Sequence, residues 1–367
     1  MKKERTAPVL FIIIITVGVL CFSYLLLCCY YYYYYPITGP NEIPFAEGEG
    51  EDTMTRLMLL GNTSATHTKP SIMMTTQIAM CTMVKNEAKY VREWVEFHSL
   101  LGVNRFIIFD NDSSDSLRAA LNGSMMMAEV IIVRWPPSPS RSWPPGNPHE
   151  ERCQGYADGK YRDEWAYSYC QLAAFHECLR WESARSRWVA AVDVDEFFMP
   201  RYSQNGLRTL QDALKPYEHM HGISLSSFTY GTGHRALPIA AGELMIETHL
   251  LRGNDAGVVK EFVDPLKVDT YYCVHWAHYM DPLWNSLFIM RTIPRHRSTI
   301  RFNHFPFRSV IESRHKVFKN MNPGIYREID KWDKVDIEDL FLIPMVPLIR
   351  RRLAGERIWV RAAATEV

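Results

Sequence analysis

Three carboxylates stand close together near the middle of the chain: Asp193, Asp195 and Glu196 follow the apolar run Trp188-Val-Ala-Ala-Val192. A short, continuous apolar run is typical of a strand covered on both faces, as in a parallel sheet. In a locally extended backbone, residues two apart point to the same side, so Asp193 and Asp195 are predicted to converge. Two hard oxygen ligands suit a small divalent cation that completes its shell with phosphate and water. The pattern therefore predicts metal-assisted departure of a diphosphate.

The position of this acidic cluster is a stronger indication of a metal site than the Asp-x-Asp motif itself. Asp-x-Asp alone is a weak signal, because acidic triplets are common and most of them lie in solvated loops. Here the pair follows the carboxyl end of a buried strand, which is where open α/β sheets bind their ligands. The position favours a metal site over a solvated loop.

The composition limits the class of protein. The 367 residues allow one large domain or two ordinary ones, and 47% of them are hydrophobic and 22% charged. The formal net charge is zero and no basic stripe dominates, so no nucleic-acid partner is expected. A globular protein is expected, and its substrates must be deduced from its motifs.

The start of the chain predicts a membrane anchor. Three basic residues lie within residues 1–8, and residues 9–35 carry no charge. As a helix, the apolar residues 9–29 would span roughly 31 Å, which matches a bilayer core, and the tyrosines at 30–35 fit the headgroup region. A cleaved signal peptide is the alternative, but its apolar stretch would be shorter and would end in small residues. We expect a cytoplasmic tail, a single-pass type II anchor and a lumenal remainder.

Residues 36–75 are predicted to form a stem, because their acidic residues lie among Gly and Pro with no basic residue before Arg56. Such a segment buries too little apolar surface to fold by itself. Five cysteines follow the anchor, and an odd number leaves at least one outside intramolecular disulfides. They are Cys81, Cys153, Cys170, Cys178 and Cys273. The chain has no C-x-x-C spacing after the anchor, so neither a zinc site nor a thioredoxin-like site is expected.

Residues 76–345 are predicted to form an α/β domain. Buried strands are predicted at 78–84, 105–110 and 130–134, with a helix after the first strand and a short helix after the second. This order is the signature of a mostly parallel sheet with right-handed crossovers, flanked by helices. Polar residues gather at the carboxyl ends of these strands.

The second half of the chain is less regular. A long helix over 162–181 leads into the strand before Asp193, and a further strand is predicted at 222–230. Residues 339–352 are predicted to form a helix interrupted by Pro344 and Pro347. Residues 346–367 are taken as a C-terminal tail or helix beyond the domain.

A series of motifs runs through the domain in a fixed order: Cys81-Thr-Met-Val-Lys-Asn-Glu87, Glu93-Trp94 with His98, Phe109-Asp-Asn-Asp-Ser-Ser114, Gln171 through Cys178, Val192-Asp-Val-Asp-Glu-Phe197, Gly231-Thr-Gly-His234 and Asn303-His304. In this order they resemble glycosyltransferase family 92, over about residues 78 to 320. The ordered series is specific, although each piece alone is not. The usual Asn-His-Tyr of the family reads Asn303-His-Phe305 here.

The resemblance implies a GT-A type, Rossmann-like fold and an inverting, metal-dependent glycosyltransferase of the Golgi membrane. UDP-galactose is the implied donor, and the product is a β1,4 bond to a glycan acceptor. In this picture Asp193 and Asp195 hold Mn²⁺, or another divalent cation, against the leaving UDP. Two alternatives stay open: a glycan-binding pseudoenzyme of the same fold, and the same chemistry with another UDP-sugar.

The ends of the first two strands supply candidate nucleotide contacts. Asp110 and Asn111 are expected to hydrogen-bond the uracil or the ribose; the alternative is an Asx-turn in which Asp115 caps the next helix. Asn86 and Glu87 are candidates at the end of the first strand. Glu87 has the alternative of capping a helix or pairing with Lys85 or Arg92.

A third metal ligand is expected from farther along the chain. His275 is the first choice because it follows a buried-looking strand, and His304 is the alternative. A lone histidine near aromatic residues is more often a packed core residue. His234 follows Gly231 and Gly233, which permit close backbone approach, so a phosphate or substrate contact is expected there, and a plain turn is the alternative.

The base that accepts the proton of the acceptor hydroxyl is left open among four carboxylates that follow the acidic cluster. They are Glu243, Glu247, Asp264 and Asp281. Glu243 and Glu247 are four apart, so on one helix they would share a face. Lys260, Arg308 and Lys316 are candidates to neutralise the diphosphate, although most surface basic residues have no such role.

Overall fold

The computed structural model describes residues 78–123, 128–136, 146–157, 166–202, 206–233, 235–286, 291–312, 335 and 337–358. All of them belong to one unit of the chain, Glu47–Val367. The predicted tail, anchor and stem (1–8, 9–35 and 36–75) lie outside these ranges. Within the described ranges, no helix is both long enough and apolar enough to cross a membrane.

The predicted strands at 105–110, 188–191 and 222–230 form and are mostly buried, whereas the strand predicted as buried at 130–134 forms without a buried residue. All seven residues of the first strand are buried, as are all five of the fifth. The strands are β1 (Ile78–Val84), β2 (Arg105–Asp110), β3 (Glu129–Arg134), β4 (Trp188–Ala191), β5 (Glu196–Pro200), β6 (Gly222–Tyr230), β7 (Leu251–Val263), β8 (Val268–Cys273), β9 (Trp276–Tyr279), β10 (Thr292–Ile293), β11 (Ile300–His304) and β12 (Ile337–Glu338).

The helices are α1 (Ala88–Leu100), α2 (Leu117–Leu121), α3 (Glu150–Ala157), α4 (Ala166–Glu182), α5 (Leu210–Leu214), α6 (Met245–Thr248), α7 (Pro282–Ser286) and α8 (Val346–Leu353). A 3₁₀ turn at Ile343–Met345 leads directly into α8. The prediction that Pro344 and Pro347 interrupt a helix was therefore wrong. Each proline stands in a first turn, where its missing N–H leaves no hydrogen bond unmade.

Among the described residues the main sheet has the strand order β3-β2-β1-β4-β7-β6-β11-β5, with β10 added to β6 and β12 to β7. Five pairings are parallel and four are antiparallel. Strands β8 and β9 form a separate two-stranded ribbon. The predicted α/β class, with a mixed and mostly parallel sheet, is confirmed.

Side chains on both faces of β1 are covered, which explains its unbroken apolar run. Ile78 and Met80 belong to the core cluster that α1 completes, whereas Ala79 and Cys81 belong to the cluster on the other face, which α4 completes. Alternate residues of a strand point to opposite faces, so a strand with apolar cores on both sides cannot alternate in polarity.

Two disulfides tie α4 to its surroundings. Cys81 of β1 is bonded to Cys178 of α4, and Cys153 of α3 is bonded to Cys170 of α4. Cys273 takes part in neither bond, as the odd number of cysteines predicted for at least one of the five. The paired helix is the one that leads into β4 and the acidic cluster.

The backbone turns between Asp193 and Asp195, and the predicted continuous extended segment was wrong. Strand β4 ends at Ala191, and the Glu196 N–H bonds back to the Asp193 carbonyl at 3.1 Å. Glu196 then begins β5, which pairs with β11 and not with a neighbour of β4. The two aspartates thus lie on a tight link between two strands of one sheet.

Helix α1 fixes the position of β5 through two polar side chains. The Trp94 Nε1–H donates to the Glu196 carbonyl at 3.0 Å, and the Phe198 N–H donates to His98 Nε2 at 3.1 Å. The other ring nitrogen of His98 lies 2.9 Å from the Trp94 carbonyl, so the imidazole is neutral and donates from Nδ1. Burial lowers the pKa of His98 to about 3, which keeps it in that form.

Candidate functional site

The turn that carries Asp193 and Asp195 is locked by hydrogen bonds on three sides. The Asp193 N–H donates to Glu196 Oε2 at 2.9 Å, which closes the turn with a side chain of its own next strand. Gln171 Nε2, on α4, donates to Asp193 Oδ1 at 2.9 Å. The Phe305 N–H donates to the Asp195 carbonyl at 2.8 Å. Both carboxylates are therefore held at the carboxyl end of β4.

Lys260 reaches this turn from β7 and lies between two carboxylates. Its Nζ is 3.3 Å from Asp193 Oδ2 and 3.4 Å from Glu196 Oε2, and it donates to the Val274 carbonyl at 3.1 Å. The Lys260 side chain is 1% exposed. Burial alone would lower its pKa, but Asp193 and Glu196 outweigh that cost and raise it above the ordinary value. Lys260 is a permanent cation of the site.

Arg308 contacts Asp195 and, like Lys260, lies between two carboxylates. Its Nη2 lies 3.3 Å from Asp195 Oδ2, and its Nη1 is paired with the Glu87 carboxylate. The guanidinium lies 4.0 Å above the Tyr90 ring on α1. Burial would lower the pKa of Arg308, but Glu87 and Asp195 raise it. A second fixed cation therefore faces the acidic turn.

His304 brings a nitrogen ligand to the same place. Its Nε2 lies 3.7 Å from Asp195 Oδ1 and 3.9 Å from Glu196 Oε1. The register of the antiparallel pair β5–β11 places His304 directly opposite Glu196, which accounts for the approach. The His304 side chain is 13% exposed, so it stands at the rim of the site and not in the core.

The donor atoms around Asp195 have the chemistry that a divalent cation requires. Carboxylate oxygens and an imidazole nitrogen are ligands of Mn²⁺-like cations, and Glu196 Oε1 is buried without a hydrogen-bond partner. Across the described part of the chain, no three His, Cys, Asp or Glu side chains are already assembled to hold a metal ion. The protein residues fit a cation whose shell is completed by another ligand.

The charges of the cluster point the same way. In their ordinary ionised forms, four carboxylates (Glu87, Asp193, Asp195 and Glu196) face two cations, Lys260 and Arg308. The excess of two negative charges equals the charge of one divalent cation. Burial, and after it the neighbouring Asp193 and Asp195, raises the pKa of Glu196, although Lys260 opposes the shift.

The loops after β1 and β2 are bound to each other. Asn86 Oδ1 accepts from the Ser114 N–H at 2.7 Å, and Asp110 Oδ1 accepts from the Ser113 N–H, three residues on, at 3.0 Å, which closes a turn after β2. Asp115 Oδ2 accepts from the Ala88 N–H at the start of α1. The prediction that Asp115 caps the next helix was wrong: Ser116 caps α2, because the two loops lie side by side.

A cleft of about 450 Å³ lies at these strand ends. Its walls include Asp110, Asp112, Ser113, Asp115, Arg118 and Arg134. Asn111 is buried, with 3% of its surface exposed, and its N–H donates to the Val84 carbonyl. Since β2, β1 and β4 are neighbours, the cleft and the acidic turn are separated by two strand spacings, roughly 10 Å.

The model of glycosyltransferase family 92 matches residues 76–339, which include every element of this site. The chain belongs to glycosyltransferase family 92. Curated relatives carry the same family name: one from Oryza sativa subsp. japonica is 31% identical over 141 residues, and one from Ricinus communis is 30% identical over 141 residues. These matches cover 38% and 36% of this chain, but only 18% and 19% of the relatives' lengths.

Solved structures are similar at a low level. Glucosyl-3-phosphoglycerate synthase from Mycobacterium tuberculosis, in complex with Mn²⁺, UDP-glucose and phosphoglyceric acid, has 16% identity and a TM-score of 0.23 over 42% of this chain and 44% of that one. Core-mannan synthase A from Aspergillus fumigatus, in its Mn/GDP form, has 12% identity and a TM-score of 0.22 over 54% and 51%. At these scores the similarity identifies neither a substrate nor a metal for this family 92 chain.

The family 92 motif residues on α1 position the site by bonding to the elements that carry it. Trp94 and His98 hold β5, as described above. The Glu93 carboxylate accepts from the Met245 and Ile246 N–H groups at 2.8 and 3.1 Å, so it caps the first turn of α6. Helix α6 in turn leads to His249, whose Nε2 lies 2.6 Å from the Arg308 carbonyl. These polar positions on a helix gave no local signal of that role.

Glu93 gives the domain a pH-dependent stability. Burial raises the pKa of Glu93 to about 7, against the N–H groups of Met245 and Ile246, which lower it. The folded state therefore favours the protonated form of Glu93. Its contribution to the free energy of unfolding is fully present below pH 4.5, the ordinary pKa of a glutamic acid, and is lost as the pH rises through about 7. Between these limits we expect a loss on the order of 3 kcal/mol in the free energy of unfolding. Urea unfolding from pH 4.5 to 8, with disulfides intact, measures it.

Glu93→Gln is the matched variant for this measurement, because it keeps an acceptor oxygen and removes the titrating proton. The difference in free energy of unfolding between Glu93→Gln and the unaltered chain should change by that amount over the same pH window. A difference that stays constant across the window would contradict the assignment to Glu93.

The four candidate bases are distributed over two edges of the sheet. Asp264 follows β7 at the edge where β4 begins, since Val263 is paired with Val189, and Asp264 forms an ion pair with Arg187 at 3.1 Å. Asp281 follows β9, and its Oδ1 accepts from the Leu283 N–H. The last residue of β9, Tyr279, pairs with Val268, which lies four residues after Asp264. Both therefore lie at the edge opposite the acidic turn.

Glu243 and Glu247 lie on the side of the acidic turn. Glu243 precedes α6, so the two do not share a helix face, and it forms an ion pair with Arg235 at 2.8 Å. Glu247 lies within α6, accepts from the Leu244 N–H and pairs with Arg350 at 2.6 Å. The assignment of a base to one of the four stays a prediction, and the geometry leaves these two beside the site.

Both histidine candidates lie near the acidic turn, and the choice of a third metal ligand between them stays a prediction. His304 faces Asp195, and His275 interacts electrostatically with Asp193, Lys260 and His304. His275 lies between β8 and β9, and its Nδ1 is 3.1 Å from the Val259 carbonyl. Burial lowers the pKa of His275 to about 3, and the neighbouring Lys260 lowers it further. His234 and Lys316 lie outside the described residues.

Proposed function

We propose that this family 92 chain moves a sugar from a nucleoside diphosphate donor to a glycan acceptor with the help of a divalent cation. The donor proposed is UDP-galactose, and the reaction inverts the anomeric centre to give a β1,4 bond. The observation that carries the proposal is the acidic turn Asp193-Val-Asp195, held at the carboxyl edge of the sheet between Lys260 and Arg308 with His304 beside it.

The geometry supports a nucleotide that lies across three strand ends in a GT-A type arrangement. The cleft beside Asp110 suits the nucleoside, and the acidic turn suits the diphosphate. Asn86 follows β1, the strand between β2 and β4, and Asn111 follows β2, beside the cleft. An extended ligand of this kind crosses the edge of the sheet, where open α/β folds bind their ligands.

Asp195 and Asp193 are the residues that would hold the cation, with His304 and Glu196 beside them. When bound, a divalent cation stabilises the negative charge that grows on a departing diphosphate. Lys260 and Arg308 contribute fixed positive charge to the same leaving group. Because they are buried and already oriented, they need little reorganisation as the bond breaks.

Inversion requires a carboxylate on the face opposite the leaving group, where it takes the proton of the attacking hydroxyl. Glu247 and Glu243 are proposed for this role, because they lie on the side of the acidic turn. Glu247 is the first choice, because α6, the helix that carries it, is capped by Glu93 and leads to His249, which contacts the Arg308 carbonyl.

We also propose that the domain works in the lumen of the Golgi, anchored by residues 9–35. The disulfides Cys81–Cys178 and Cys153–Cys170 support placement on the lumenal side, because disulfides persist in oxidising compartments and are rare in the cytosol. The charge-free run after a basic start supports the type II orientation.

A UDP-sugar panel tests the function directly. The full chain, purified in mild detergent, is incubated with Mn²⁺ and each of UDP-galactose, UDP-glucose and UDP-N-acetylhexosamines, with and without oligosaccharide acceptors, and released UDP is measured. We expect acceptor-dependent release with UDP-galactose that stops when the cation is chelated. Release with another UDP-sugar alone would replace the donor. UDP binding without release under any condition would favour the pseudoenzyme, which is the second candidate because each base candidate already has an ion-pair or capping partner.

A further inference from the structure

Each aspartate of the acidic turn shares its cation with a second carboxylate. Lys260 lies between Asp193 and Glu196, at 3.3 and 3.4 Å. Arg308 lies between Asp195, at 3.3 Å, and Glu87. One carboxylate oxygen of each aspartate, Oδ2 of Asp193 and Oδ2 of Asp195, is thus already engaged by a buried basic side chain.

We propose that the cation and the nucleoside diphosphate enter this site as one unit, through an exchange of ion pairs. The diphosphate takes Arg308 and Lys260 as partners, and this exchange frees oxygens of Asp195 and Asp193 for the cation. This inference rests on the proposed function, and it adds the order and the coupling of binding. No covalent bond changes in the exchange; only the partners of four charged groups do.

The exchange costs little free energy because Arg308 and Lys260 each keep a carboxylate partner after it. When Asp195 turns to the cation, Arg308 keeps the Glu87 carboxylate and its stacking on the Tyr90 ring. When Asp193 does so, Lys260 keeps Glu196 and the Val274 carbonyl. Stranding a buried charge costs several kcal/mol, and the second carboxylates avoid that cost.

The unfinished coordination shell gives the exchange its direction. The described residues contain no complete group of three ligands, so a cation bound without the diphosphate would have to break two ion pairs for a partial shell. The diphosphate brings oxygen ligands and removes the competing cations together. Each ligand should therefore raise the affinity of the other, and by linkage the factor is the same in both directions.

Titrations of the full chain test this coupling. MnCl₂ is titrated by calorimetry into the protein alone and into the protein with saturating UDP, and UDP is titrated with and without Mn²⁺. The same four titrations are made on Arg308→Gln, which removes the cation that engages Asp195. Arg351→Gln is the matched control, because Arg351 pairs with Glu356 in an exposed contact at 2.7 Å.

For the unaltered chain and for Arg351→Gln we expect Mn²⁺ affinity to rise at least about tenfold when UDP is present, with the same factor for UDP when Mn²⁺ is present. For Arg308→Gln we expect Mn²⁺ alone to bind more tightly, by about fivefold or more, and the coupling factor to shrink. Affinities of Mn²⁺ and UDP that are independent of each other would overturn the exchange and leave the proposed function standing. Binding of neither ligand would overturn both.

Discussion

Asp195→Asn is expected to lower the rate of sugar transfer by about 10² to 10³-fold while the domain stays folded. Asp195 is the carboxylate that faces His304 on one oxygen and Arg308 on the other. The amide keeps the shape but removes the negative charge, so a divalent cation loses its central ligand and the leaving diphosphate loses its stabilisation. Removal of one preorganised group that stabilises transition-state charge costs a factor of this size. The measurement is UDP release at saturating UDP-sugar and acceptor.

The control for this variant is Asp269→Asn, which makes the same chemical change on an exposed side chain of β8 that lies 3.8 Å from His278. Its rate should match that of the unaltered chain. The midpoint of thermal unfolding of Asp195→Asn should lie within about 4 °C of the original, because Arg308 keeps its partner Glu87. A rate that stays within about threefold of the original would remove Asp195 from the mechanism.

The strands near the site could be predicted from the sequence because each is a short apolar run. Strand β1 was placed at its observed bounds, as were β2 and β6, and β3 began one residue earlier than predicted. Strands β1, β2 and β6 are buried at nearly every position, whereas β3 has no buried residue. The polar residues at their carboxyl ends follow from the same boundaries.

The turn at Asp193 could not be predicted in the same way. The apolar run resumes at Phe197, so the acidic residues resemble an interruption within one strand. What separates β4 from β5 is the partner that each finds: β1 for β4 and β11 for β5. Strand partners are a tertiary property, and a local pattern of apolar residues does not contain them.

The cations of the site come from distant segments. Lys260 is 67 positions from Asp193, and Arg308 is 113 positions from Asp195. Their charge made both candidates for diphosphate binding, but it did not show that each is shared with a second carboxylate. The place of His304 beside the acidic turn has the same origin, since the register of β11 against β5 places His304 opposite Glu196.

Glu96→Ala is expected to lower the free energy of unfolding by about 3–5 kcal/mol. Glu96 on α1 and Arg352 on α8 form an ion pair at 2.9 Å, and both side chains are 0% exposed. Without Glu96 the buried guanidinium loses this carboxylate, and its contacts with the Ile358 carbonyl and Ser99 Oγ bring no compensating negative charge. A buried charge deprived of its partner destabilises a protein by about this amount. Urea unfolding with the disulfides intact measures the change.

The double variant Glu96→Leu with Arg352→Met separates the loss of charge pairing from the loss of packing. Two apolar side chains of similar volume should restore most of the stability, because replacing a whole buried pair costs far less than removing one partner. This result bears on the boundary predicted at residue 346. If residues 346–358 were a tail beyond the domain, Glu96→Ala would cost less than about 1 kcal/mol, as surface substitutions do. A large cost, recovered by the apolar pair, makes α8 part of the folded unit that α1 organises around the acidic turn.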